Sequence, residues 1–185
     1  MAAVLSLSGE IGYRQVTVRK VLAHGGGDVR QFYSHFHNLE GCFAAAYDAE
    51  AERLCTTLVD AAAAASGWRE RTHAVLTGLL GFAAERPPVA RALLCEVQVA
   101  GGDALVKRDE VLERLTAAIG CPSQEAAEAG FPPTPFTHAF VVGAVEGLIC
   151  SRLVRGEAEE LPAAAPDLMF LIVSVCLGRD AAFGT

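Results

Sequence analysis

The stretch from residue 17 to residue 43, TVRKVLAHGGGDVRQFYSHFHNLEGCF, decides the fold. Two short helical patterns flank three consecutive glycines. Thr17 is placed to N-cap the first pattern and Asp28 the second, because a short side-chain oxygen accepts bonds from the unpaired N–H groups at a helix start. Gly25, Gly26 and Gly27 stop the first helix and make the turn. In the second helix Phe32 and Phe36 are four residues apart, so they share a face toward a core. Arg30, Gln31, Tyr33 and His35 point elsewhere and carry polar groups. Asn38 then caps a long fourth helix, to about residue 65, with Phe43, Tyr47, Leu54 and Leu58 at helical spacing.

Working outward, residues 2–11, AAVLSLSGEI, read as a supporting first helix with Val4, Leu5, Leu7 and Ile11 inward. Beyond Ser66-Gly67 the periodicity predicts helices over about 68–85, 88–99 and 102–119, divided by Pro87-Pro88 and Gly101-Gly102. A loop rich in Pro and Gly spans 120–135. Two long apolar helices follow, at about 135–155 and 162–178, separated by the polar turn RGEAEELP. Strand signals are nearly absent. The expected fold is all-α: a three-helix head at residues 1–47 and a larger helical domain at 48–185.

The chain has 185 residues, 52% of them hydrophobic, and a net charge of −7. That balance excludes a uniformly basic nucleic-acid binder, but the charge is uneven. The head carries four cations against three anions, a net +1, and the remainder is −8. Such asymmetry points to two parts with different work. The six cysteines are dispersed, with no pair at zinc-site or redox spacing, and several sit in apolar runs. They read as free thiols in a reducing cytoplasm. The start of the chain lacks a signal-peptide pattern. The run LMFLIVSVCL at 168–177 is shorter than a membrane span. A cytoplasmic protein without a membrane partner is expected.

Two short helices across a tight turn, braced by a first helix, form a helix-turn-helix. The second of the pair enters the major groove, and its first residues meet base edges. Here those are Val29, Arg30 and Gln31: valine touches a thymine methyl, arginine bonds guanine through two donors, and glutamine bonds adenine. Tyr33, His35 and Thr17 suit phosphate oxygens. Other chemistries find little support. His35 and His37 lie on different helical faces with no Cys or carboxylate at ligand spacing, so no metal is expected. No nucleophile elbow or paired-carboxylate motif stands out, so no catalytic residues, no cofactor and no enzyme activity are expected.

The run GYRQVTVRKVLAHGGGDVRQFYSHFHNLEGCF resembles the DNA-binding head of the tetracycline-repressor (TetR) family, through Gly12-Tyr13, Thr17-Val18-Arg19, Phe32-Tyr33, His35-Phe36 and Glu40. The motif match covers about residues 2–47; the rest matches in layout. The resemblance implies a homodimeric repressor that leaves a double-stranded operator when a small effector binds, with Arg19 among the DNA-contacting residues. Leu39 stands where the family has a lysine, and Gly27 where it has a buried aliphatic. Few phosphates are then neutralised, and nonspecific affinity should be modest. A helical ligand- or protein-binding protein whose head no longer reads DNA is the rival reading.

In the helix at 135–155, Gly143, Gly147 and Ser151 recur every four residues beside Ala144, a spacing that lets another helix approach closely. Phe140 and Leu148 flank this seam. In the last helix Met169, Phe170, Val173 and Leu177 form a second apolar stripe. A four-helix interface, two helices from each subunit, is the expectation, and the family uses it. The resemblance places an effector pocket within each body. The expected lining is Leu58, Val75, Leu79, Phe82, Leu94, Gln98, Leu112, His138 and Val142, mostly aliphatic and suited to an apolar effector.

Overall fold

A computed structural model describes residues 2–128, 130 and 134–182. Among the described residues there are helices and no strands, so the all-α expectation holds. The chain divides into two compact units: Met1–Cys55 with Arg86–Glu113, and Thr56–Glu85 with Arg114–Thr185.

The first unit opens with α1 (Ala2–Ile11), α2 (Val18–Gly25) and α3 (Val29–His35), followed by the start of α4 (Leu39–Ala63). The three caps read from sequence are formed. Thr17 Oγ1 accepts from Lys20 N at 3.3 Å, Asp28 Oδ1 from the N–H groups of Arg30 and Gln31 at 2.6 and 3.0 Å, and Asn38 Oδ1 from Gly41 N at 2.8 Å. The turn needs glycine for a backbone reason: Gly26 and Gly27 have φ of 74° and 110°, which side chains disfavour. Val4, Leu5, Val21, Phe32, Phe43 and Tyr47 form the core here.

The same unit contains a helix that changes pitch. α6 (Pro87–Arg91) runs through a π-helical turn (Ala92–Glu96) into α7 (Val97–Ala100), where periodicity alone reads one plain helix. Val97 N–H bonds back to the Ala92 carbonyl, and the Tyr47 hydroxyl reaches the Leu93 carbonyl at 3.4 Å. This helix braces α1. Gly9 lies so close to Pro88 that a methyl group would overlap the Pro88 carbonyl. Glu96 Oε2 accepts the Tyr13 backbone N–H at 2.8 Å, while its other oxygen pairs with Arg91 at 3.4 Å. Buried Glu50 is neutralised by Arg53 and Arg86. α8 (Gly102–Ile119) carries Lys107 to Asp48 at 3.1 Å and Glu52 at 3.4 Å, and the Asp48 hydrogen bond raises its pKa.

The second unit holds the end of α4, α5 (Trp68–Glu85), the end of α8, α9 (Ser123–Glu128), α10 (Pro135–Arg155), a 3-10 segment (Ala158–Ala164), α11 (Ala165–Leu177) and α12 (Arg179–Ala182). Leu58, Leu80, Ile149, Leu161, Val173 and Leu177 are buried in its core. α9 forms inside the stretch expected to be loop, parts of which lie outside the described residues. The polar turn RGEAEELP becomes the 3-10 segment because Ala158 and Leu161, three apart, both turn inward. α10 ends at Gly156, whose φ of 75° makes a left-handed cap, and Arg152 pairs with Glu157 at 2.9 Å.

One expectation needs correction. The free-thiol reading holds for Cys42, Cys55, Cys121 and Cys176 and fails for Cys95 and Cys150. Sequence spacing detects near-neighbour cysteines and misses pairings made by folding. The run at 168–177 lies within a longer apolar stretch. By length and composition alone, Phe136–Arg155 and Ala158–Leu177 are apolar enough to cross a membrane, with mean hydropathies of 1.4 and 1.6.

Candidate functional site

The face of α3 is built from its cap outward. Asp28 fixes the first turn, and Phe32, 6% exposed, ties the helix to the core. Phe32 packs against Phe36 with tilted rings whose centroids are 5.5 Å apart and meets Tyr33 edge-on at 5.3 Å. With Phe32 inward, Val29, Arg30, Gln31, Tyr33 and His35 are all exposed. Tyr33 and Val29 stand out at 54% and 55%. His35 Nδ1 lies 2.9 Å from the Gln31 carbonyl, which leaves Nε2 pointing away from its own backbone. Thr17 and Arg19 are exposed at the start of α2. Lys20 reaches back to the Gln15 carbonyl at 2.8 Å and so braces the turn before α2. The expected DNA-contacting side chains are therefore each exposed on this unit. A groove lined by Leu22, Gly27, Phe32, Phe36 and Cys42 lies under the glycine turn, where Gly27 contributes no side chain. Burial pushes the Cys42 thiol pKa up.

The second unit contains an apolar cavity of about 80 Å³. Trp68 and Thr72 of α5, Thr116 and Ile119 of α8, the loop Gly120–Pro122, Thr137, His138, Val141 and Val142 of α10, and Ile172 and Cys176 of α11 line it. Its polarity is low because Thr72 spends its hydroxyl on the Trp68 carbonyl at 2.8 Å. Of the expected lining, His138 and Val142 face this cavity. Leu58 and Val75 are buried elsewhere in the same unit, and Leu79 and Phe82 are half-buried there. Leu94, Gln98 and Leu112 belong to the first unit, Gln98 being exposed. The loop residues and Trp68 were not anticipated; the one tryptophan opening a helix after Ser66-Gly67 was the available signal.

α10 presents a long uncovered face. Phe136 and Phe140 are 79% and 64% exposed, and Val154 62%. Gly143, Ala144, Gly147 and Ser151 continue the same face at helical spacing, and a methyl group at Gly143 or Gly147 would meet open space. Leu148, Met169 and Phe170 are half-buried, whereas Val173 and Leu177 lie in the core of their own unit. The exposed large apolar residues of α11 are Leu171 and Val175, one turn apart. No group of three or more metal-ligating side chains occurs among the described residues.

The helical fold is shared with solved structures of two transcriptional regulators. Among solved structures, the chain is similar to the transcriptional regulator FadR from Bacillus subtilis, determined in complex with stearoyl-CoA, at TM-score 0.77 and 16% identity, covering 94% of this chain and 96% of that one. It is also similar to the fatty acid degradation regulator FadR from Bacillus halodurans, at TM-score 0.76 and 17% identity, covering 93% and 95%. No family model matches the sequence, and no curated protein matches it.

Proposed function

We propose that this chain is a ligand-responsive, dimeric transcriptional regulator of the TetR type, a repressor released from a pseudo-palindromic operator by a small apolar effector. The observation that carries the reading is the capped α3 face, where Arg30, Gln31, Tyr33 and His35 are exposed on a helix anchored by Phe32. Arg30 and Gln31 read base edges, and Tyr33, His35, Thr17 and Arg19 hold phosphates. Two such heads, joined through α10 and α11, meet two half-sites. The exposed residues Phe136, Phe140, Gly143, Ala144 and Gly147 favour that pairing, since a contiguous apolar face on a helix calls for a partner. The cavity lined by His138 and Val142 is the effector site. Its apolar walls, and the stearoyl-CoA bound by one structurally similar regulator, favour an acyl-type effector and a cytoplasmic setting.

Selection of bound duplexes from random DNA tests the reading. The wild type should recover a pseudo-palindrome. Arg30→Ala should lose preference at one base position per half-site, a loss of about 1–3 kcal/mol, whereas Tyr33→Phe should weaken all sequences alike. An enrichment with no half-site in it would instead support a helical binding protein whose head no longer reads DNA. Leu39 and the open groove under Gly27 are the features that favour this rival.

A further inference from the structure

The cavity of the second unit carries two free thiols. Cys121 follows α8 and is exposed; Cys176 is in the last turn of α11 and is half-buried. Both line the same small apolar cavity. Burial raises the pKa of Cys176, and the charge of Cys121 raises it further, so the two sulfurs are within electrostatic reach. The other free thiols, Cys42 and Cys55, are 2% and 0% exposed and have no such access.

We propose that Cys121 and Cys176 form a reversible dithiol switch in this cavity, oxidised to an intramolecular disulfide by an apolar organic hydroperoxide. The thiolate of exposed Cys121 attacks the outer oxygen of the hydroperoxide. The O–O bond breaks, the outer oxygen passes with its hydrogen to Cys121 as a sulfenic acid, and the departing alkoxide takes a proton from water to leave as the alcohol. The sulfur of Cys176 then attacks the sulfenic sulfur. An S–S bond forms, and the sulfenic hydroxyl leaves with the Cys176 proton as water. Access assigns the order, because the exposed sulfur meets the oxidant first. Trp68, Ile119, Val141, Val142 and Ile172 select an apolar oxidant. The new bond ties the loop after α8 to α11 across the cavity. Its consequence for DNA release rests on the effector-site reading above; the thiol chemistry does not.

The test uses the full chain and cumene hydroperoxide. The wild type should lose two hydrogens by intact mass, with a peptide linking Cys121 to Cys176, and dithiothreitol should reverse both changes. Trp68, the single tryptophan, should change fluorescence at the same rate. Cys176→Ser should stop at one added oxygen on Cys121, trapped by dimedone. Cys121→Ser should react at least about tenfold more slowly. An added oxygen without a link in the wild type, a link between the Cys121 residues of two chains, or equal rates for wild type and Cys121→Ser would overturn the proposal. If Cys176→Ser does not fold, the wild type and Cys121→Ser decide. None of these readouts uses DNA or an effector, so they fail or succeed separately from operator selection.

Discussion

Phe140 offers the sharpest test of the subunit interface. A phenylalanine side chain has roughly 200 Å² to bury. Phe140 is 64% exposed, so on the order of 130 Å² remains for a partner to cover. At about 25 cal/mol per Å² that area is worth roughly 3 kcal/mol in each subunit, or roughly 6 kcal/mol across a two-fold interface. This is an upper bound, because buried area converts incompletely into affinity once side-chain ordering and desolvation are counted. Phe140→Ala should therefore raise the dimer Kd by between about 10² and 10⁴. Its exposure predicts little effect on subunit stability, which circular dichroism during thermal melting would verify. Sedimentation equilibrium over a concentration series reads the change directly. A wild type that is monomeric at micromolar concentration, or a Phe140→Ala variant that dimerises like the wild type, would refute the reasoning.

Three further outcomes follow from features already described. Asp28→Ala removes an acceptor shared by two N–H groups and should destabilise α3 by about 1 kcal/mol, seen as faster amide exchange at Arg30 and Gln31. Glu96→Ala leaves the Tyr13 N–H without its acceptor and Arg91 without its ion pair, so it should cost about 1–3 kcal/mol in a urea titration; Glu96→Gln should recover part of that. Val142→Trp places an indole in a cavity of about 80 Å³ and should mimic an effector, weakening operator binding in a fluorescence-anisotropy assay while sedimentation still shows a dimer.

The head was legible because its determinants are local. Thr17, Asp28 and Asn38 each bond a backbone group two or three residues on, so each cap can be read from a few consecutive letters. Long helices such as α5 and α8 were equally readable from periodicity. The pieces that escaped depend on packing. α9 sits among Pro and Gly residues that read as loop, and the 3-10 segment hides two inward residues among glutamates. The cavity lining was the least legible part. It draws on four helices and a loop, and periodicity shows which residues of a helix share a face without showing which faces meet. Phe136 and Leu171 show the same limit: a helix apolar around most of its circumference does not declare which stripe its own core leaves uncovered.

The π turn at Ala92–Glu96 has a consequence for the chain's tolerance of length change. Losing one residue inside an ordinary α-helix rotates everything beyond it by about 100° and separates side chains from their partners. A π turn holds one residue more than the α-helix it interrupts. Shortening this turn by one residue would restore plain α geometry while Pro88 stays under Gly9 and Glu96 stays beside Tyr13. The feature lost would be the widened ring at Leu93, and with it the Tyr47 hydroxyl contact. This segment is thus a helix where a single-residue gap can enter an alignment without disturbing the brace on either side, and where a pairing of related sequences that forbids gaps in helices would misplace every residue of α7.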